Sequence, residues 1–223
     1  MAERIRFALW LVGIAAFLWI ASPRAHPTQG DFCEPEIRRF EEQDRKTPPP
    51  TNQIVFVGAS MIVRWDLKKF FPDLTTINRG FGGSEMIDSL HYADRIVIPY
   101  KPRIVVVYAG DNDTAQGTSP EQVANDFEAL VQKIHGALPQ TKVVDIAIKP
   151  SLARWSIVDK QRAANALLRA YCETHDRLAF VDVARLMLGP DGKPRKELYV
   201  SDGLHINDEG YKIWTAALRP YLQ

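Results

Sequence analysis

The sequence predicts an α/β protein built as a three-layer αβα sandwich. Three observations carry that expectation. Short apolar, β-branched runs alternate with helical patterns over about 170 residues. The runs lack the in–out alternation of a half-exposed strand, so they read as strands of a parallel sheet covered on both faces. The composition is 46% hydrophobic and 25% charged across 223 residues, which suits one globular domain and excludes disordered and fibrous classes.

Residues 1–25 read as an N-terminal signal peptide or signal anchor. Arg4 and Arg6 precede an uncharged apolar run from Phe7 to Ala21. That length suits a signal-peptide core and is short for a membrane span. Cleavage after Ala25 would place Pro23 three positions back, and cleavage after Ala21 would place Trp19 there. The chain is therefore either released or held at an inner membrane by an uncleaved segment, residues 7–22. The basic flank keeps the N-terminus inside, so the rest is expected outside the cytoplasm, periplasmic or secreted. Membrane contact is expected through this segment alone. In an oxidising compartment Cys33 and Cys172 either pair or remain two free buried thiols, and the sequence leaves both open.

Residues 26–52 form a lead-in. Within it, 33–46 is a charged helical stretch and TPPPTN (47–52) is a stiff linker, because three prolines cannot continue a helix. The domain proper is expected over 53–223. Its strands are Ile54–Val57, Leu74–Ile77, Arg103–Ala109, Val143–Ile148 and Leu178–Val183. Ser119, Pro120 and Gln122 supply an N-cap, a first-turn proline and a capping-box residue for a helix buried through Val123, Phe127, Leu130, Ile134 and Leu138. A second helix over 157–174 is expected to turn Ala163, Leu167, Ala170 and Tyr171 inward. Asn207 is expected to cap the last helix, with Tyr211, Trp214 and Leu218 on its apolar stripe.

Charge excludes one class of partner. Lys and Arg number 28 against 27 Asp and Glu, so no basic excess exists to hold a nucleic-acid backbone. Two cysteines cannot build a cysteine-rich zinc site.

Ligand sites of open α/β sheets lie beyond the carboxyl ends of the strands. Gly58-Ala59-Ser60 follows the first strand, a glycine-rich turn through Gly80 to Ser84 the second, and Gly110-Asp111-Asn112-Asp113 the third. Ser201-Asp202-Gly203-Leu204-His205 precedes the last helix. This set fits acyl transfer. Serine needs a base, and histidine is the side chain suited to that task. His205 is the candidate base for Ser60, and Asp202, three residues earlier, is the candidate to fix its tautomer. Backbone N–H groups at the glycines and the Asn112 amide are candidate oxyanion donors. Asp113 receives no role, and the other histidines read as structural.

These blocks resemble those of the SGNH (GDSL-type) hydrolase superfamily, over roughly residues 53–221. The serine block falls on Ser60 in VFVGAS, the glycine on Gly83 in NRGFGGS, the asparagine on Asn112 in YAGDND, and the acid–base pair on Asp202 and His205 in SDGLH. The first block has Gly-Ala-Ser where the family pattern is Gly-Asp-Ser. NRGFGG and DGLH-x-N-x-x-GY resemble the branch that includes platelet-activating-factor acetylhydrolase-like esterases. The resemblance implies a flavodoxin-like five-stranded parallel sheet. It also implies a triad of Ser60, Asp202 and His205, with an oxyanion hole of Ser60, Gly83 and Asn112.

No metal or cofactor is expected. A metallohydrolase needs several histidines and carboxylates at strand ends, where only His205 qualifies. A dinucleotide site needs Gly-x-Gly-x-x-Gly after the first strand, where only Gly58 stands. The expected substrate is a small ester with a short acyl group, acetyl in first place, carried on exported glycans. The alternatives are a lysophospholipase or thioesterase of the same family and a non-catalytic carbohydrate-binding or scaffold domain. Arg64, Trp65, Arg154 and Trp155 follow strand-end segments and are the candidate pocket residues. Oligomeric state is left open.

Overall fold

The computed structural model describes residues 30–223. The stretch read as a signal peptide or anchor lies outside the described residues. The order is α1 (Gly30–Lys46), β1 (Ile54–Gly58), α2 (Ser60–Val63), α3 (Leu67–Phe70), β2 (Thr76–Gly80), α4 (Met86–Ile96), β3 (Ile104–Tyr108), α5 (Asp111–Gln116), α6 (Pro120–Ala137), β4 (Lys142–Ile146), α7 (Val158–Glu173), β5 (Leu178–Val181) and α8 (Asp208–Leu218). The strands form one parallel sheet in the order β2-β1-β3-β4-β5. The order reverses between β1 and β3, which opens a crevice at their carboxyl ends.

Alternate residues of the central strands feed two cores. Val55, Val57, Val105, Val107 and Val143 pack under α1, α4, α6 and α7. Ile54, Phe56, Ile104, Val106 and Val144 pack under α2, α3 and α8. Strands covered on both sides need no polar face, which is why β1 and β3 are apolar throughout. Among the described residues no helix is long and apolar enough to cross a membrane.

The structure departs from the sequence-based expectations at four places. β2 runs on through Asn78 and Arg79 to Gly80, because both polar side chains find partners. The Asn78 amide donates to the Ile62 carbonyl (2.7 Å), and Arg79 donates to Tyr100 (2.7 Å) and pairs with Asp44. Helix α4 has no counterpart in the expectations; its buried face includes Asp88 and Ser89, which masks its period. The lead-in helix, expected outside the domain proper, packs into it. Cys33, Ile37 and Phe40 are buried in the first core, and Arg95 of α4 grips Glu34 and Glu41. Helix α7 is turned by one residue, burying Val158, Gln161, Ala164, Leu168 and Cys172 while Leu167 is 39% exposed. Of the two readings left open for the cysteines, the structure shows the unpaired one: both are free and buried. Cys33 on α1 and Cys172 on α7 lie at opposite ends of one helical layer, in which α4 and α6 intervene.

Candidate active site

The candidate site begins where β1 stops. Gly58 has φ +128°, and a Cβ there would lie 2.0 Å from the Tyr108 carbonyl oxygen, so only glycine lets β1 turn this tightly against β3. Ala59 is buried, its N–H donating to that same carbonyl (2.9 Å). Ser60 then opens α2 with its side chain partly exposed.

Ser60 Oγ lies 3.0 Å from His205 Nε2, and His205 Nδ1 lies 2.6 Å from Asp202 Oδ2. The other Asp202 oxygen accepts the backbone N–H groups of Leu204 (2.8 Å) and His205 (2.9 Å). The His205 hydrogen bond, assisted by those two amides, holds the Asp202 carboxyl well below the usual carboxylate range. An ionised Asp202 requires the proton on Nδ1, which leaves the Nε2 lone pair facing the serine hydroxyl. The loop is closed by Val200 N–H donating to the His205 carbonyl (2.9 Å) and by Gly203 at φ +65°.

The glycine-rich turn and the Asn112 loop are sewn together. Asn112 Nδ2 donates to the Ser84 carbonyl (2.9 Å), and its Oδ1 accepts from Arg154 Nη2 (3.0 Å). Arginine only donates and a carbonyl only accepts, so the orientation of the amide is fixed, and its second N–H remains for another acceptor. Asp113 is fully buried and takes Met86 N–H (2.8 Å) on one oxygen and Gly110 N–H (2.9 Å) on the other. It therefore ties the two loops together, contrary to the expectation that it has no role. Burial raises its carboxyl to about 7 against those backbone hydrogen bonds.

Behind Asn112 sits a buried charge cluster. Asp111 accepts from Arg154 Nη1 (2.6 Å), Gln161 Nε2 (3.1 Å), Lys149 Nζ (3.3 Å) and the Tyr108 hydroxyl (3.3 Å). Burial pushes Asp111 up, but the Lys149 and Arg154 cations outweigh it and hold the carboxyl below its ordinary value. Burial pulls the Lys149 ammonium down, and Asp111 opposes this. Lys149 and Gln161 carry no site signal in the sequence. One closes an apolar strand run, and the other stands alone within a helix.

Ser60, Asp202 and His205 are thus brought into one hydrogen-bonded line, and Asn112 is joined to the turn that carries Gly83. The four expected pocket residues divide. Arg154 acts on Asn112 and Asp111. Arg64 is exposed and lines an open recess with Val200, Asn207 and Tyr211. Trp155 is half-buried under the Arg162 guanidinium. Trp65 is no pocket residue: it is 2% exposed and stacks on Tyr211 at 5.3 Å within the second core. Among the described residues no group of three or more His, Cys, Asp or Glu could hold a metal ion.

Comparison with known proteins gives the family. The chain matches the GDSL-like lipase/acylhydrolase family over residues 62–213, more than half its length. That match starts just after Ser60, so the placement of the serine rests on the hydrogen-bonded line above. The human platelet-activating factor acetylhydrolase IB subunit alpha1 is 28% identical over 215 residues, covering 90% of either chain. A GDSL-like lipase from Bacteroides thetaiotaomicron superposes with a TM-score of 0.71 at 22% identity, covering 83% of this chain and 96% of its own. A carbohydrate esterase of family 3 from Talaromyces cellulolyticus gives 0.60 at 18%, covering 76% and 95%. The chain belongs to the GDSL-like lipase/acylhydrolase family and is an ester-bond hydrolase.

Proposed function

We propose that the chain hydrolyses short-chain acyl esters, acetyl esters foremost, through a Ser60–His205–Asp202 triad. The observation that carries this reading is the Ser60–His205–Asp202 line with contacts of 3.0 and 2.6 Å. Ser60 Oγ attacks the ester carbonyl while its proton passes to His205 Nε2, and Asp202 steadies the imidazolium. The backbone N–H groups of Ser60 and Gly83 and the free Asn112 N–H stabilise the oxyanion. Collapse expels the alcohol, which takes the proton from Nε2. Water, deprotonated by the same nitrogen, then attacks the acyl-serine, and collapse releases the acid as Ser60 Oγ takes that proton back from Nε2. Arg154, anchored by Asp111, positions the amide of Asn112.

The acetyl preference is supported by the 28% identity to an enzyme named for acetyl hydrolysis. We take the alcohol to be a sugar of an exported glycan; the same relative's name favours a phospholipid-type alcohol as the second reading. The reading that the chain is exported is supported by Arg4, Arg6 and the run from Phe7 to Ala21. Residues 1–29 fused to alkaline phosphatase are expected to give activity in a bacterial host, and an inactive cytoplasmic fusion would reject export.

Turnover of p-nitrophenyl acetate, butyrate and palmitate tests the acyl preference, and acetylated oligosaccharides against an acetyl glycerophospholipid test the alcohol. Ser60→Ala and His205→Ala should each remove nearly all turnover, and the double variant should lose little more than either. Multiplicative losses, or palmitate preferred over acetate, would overturn the reading.

A further inference from the structure

The rim carries a second cleft, of about 300 Å³, beyond the ends of β4 and β5. Helix α7 forms one wall and the segment from Asp182 to Leu188 the other. Its volume sits at the lower end of small-molecule pockets, roughly 300–1,000 Å³, and suits a single sugar ring.

Its chemistry is lopsided. Arg162, Arg169 and Arg185 line it against a single carboxylate, Asp182. Arg169 already pairs with Asp182, and Arg162 makes an exposed pair with Asp159. No carboxylate among the described residues lies within ion-pair distance of the Arg185 guanidinium. Gln161, 1% exposed, also lines the cleft. Its Nε2 serves Asp111, which orients the amide, but its buried Oε1 has no hydrogen-bond partner. A buried acceptor held in place and left unpaired calls for a donor from outside. Ile148, Val158 and Leu188 add apolar surface of the kind that packs on a sugar's C–H face.

We propose that this cleft binds an anionic sugar, with its phosphate or carboxylate on Arg185 and Arg162 and a hydroxyl donated to Gln161 Oε1. The groups invoked do not touch Ser60 or His205, so the proposal stands whether or not the acyl preference does.

Calorimetric titration of the full chain with glucose 6-phosphate and with glucuronate tests it, with glucose and inorganic phosphate as controls. At least one anionic sugar should bind saturably, tenfold or more tighter than either control. Arg185→Glu should weaken it at least tenfold, and Ala166→Trp, which fills the cleft from an exposed helix position, should abolish it. Both variants should keep the wild-type unfolding midpoint and p-nitrophenyl acetate turnover, while Ser60→Ala should bind as wild type. Absence of saturable binding, or binding indifferent to Arg185→Glu, would overturn the site. Inorganic phosphate binding as tightly as the sugar phosphate would overturn hydroxyl recognition by Gln161.

Discussion

Asp111 and Asp145 are both carboxylates buried near the middle of the sheet, and they behave oppositely. Asp111, 4% exposed, follows β3 at the rim and is ringed by Lys149, Arg154, Gln161 and Tyr108. Asp145, fully buried, lies within β4 beside Val107 and Phe180, and neither of its oxygens has a partner. Burial alone drives Asp145 well above the usual carboxylate value, whereas Asp111 is held below it. Depth therefore does not set the charge of a buried acid; its partners do. At the rim, the partners make an ionised carboxylate a fixed brace for Arg154 and, through it, Asn112.

Removing the brace should have the largest effect. Asp111→Ala leaves Lys149 buried without a counter-charge, at a cost of about 3–5 kcal/mol in urea unfolding. Adding Lys149→Met to it should recover much of that loss, and no recovery would mean that the pair is not what stabilises the rim. Next comes the donor the brace supports. Asn112→Ala should lower kcat by roughly 10²–10³, about 2.7–4 kcal/mol, with KM little changed, since the oxyanion exists only beyond the ground state. Asn112→Asp should be at least as harmful, because an acceptor would then face the Ser84 carbonyl.

Asp145 should respond in the other direction. Asp145→Val replaces unpaired polar atoms with a strand-forming side chain and should stabilise the fold by about 1–3 kcal/mol at neutral pH. The raised native pKa means that the folded state holds more protons than the unfolded one above pH ~4. Wild-type stability therefore falls as pH rises from there, and its gap to the variant should widen. A gap constant with pH would show that Asp145 does not titrate differently on folding. Asp113 lies between the two, buried like Asp145 but accepting two amides. Its native value of about 7 makes stability fall between the ordinary aspartate range and neutrality. Asp113→Asn should flatten that slope and cost about 1–3 kcal/mol in thermal unfolding across pH, because the new NH2 cannot accept and leaves one backbone N–H unpaired.

The same contrast explains what could be read from the chain alone. β1 and β3 are apolar on both faces, and α6 and α8 carry ordinary caps with an apolar stripe, so period and composition agree with the structure. Ser60, Asn112, Asp202 and His205 were legible because each stands in a short loop at the end of a predicted element. The residues that support them were not. Gln161 occupies an inward position of α7, and a polar residue in a buried stripe shifts the apparent apolar face by one position, toward Ala163 and Leu167. Lys149 and Asp111 look like surface charges until the fold shows that each is the other's counter-ion. Trp65 erred the opposite way: its place after Ser60 suggested a pocket, but an indole so close to Phe56, Phe71 and Trp214 completes the second core.

The docking of α1 gives the molecule a front and a back. Its first turn brings the Phe32 ring to 3.0 Å from where a Gly83 Cβ would stand, so the chain enters the domain beside the mouth. The other end leaves from the opposite pole, where Arg103, just before β3, and Lys142, at the start of β4, hold the carbonyls of Leu222 and Tyr221. A tag, a bead or a fusion partner joined at the C-terminus therefore leaves the mouth pointing outward. The same cargo joined close to residue 30 sits at the doorway, where it competes with any bulky substrate for approach.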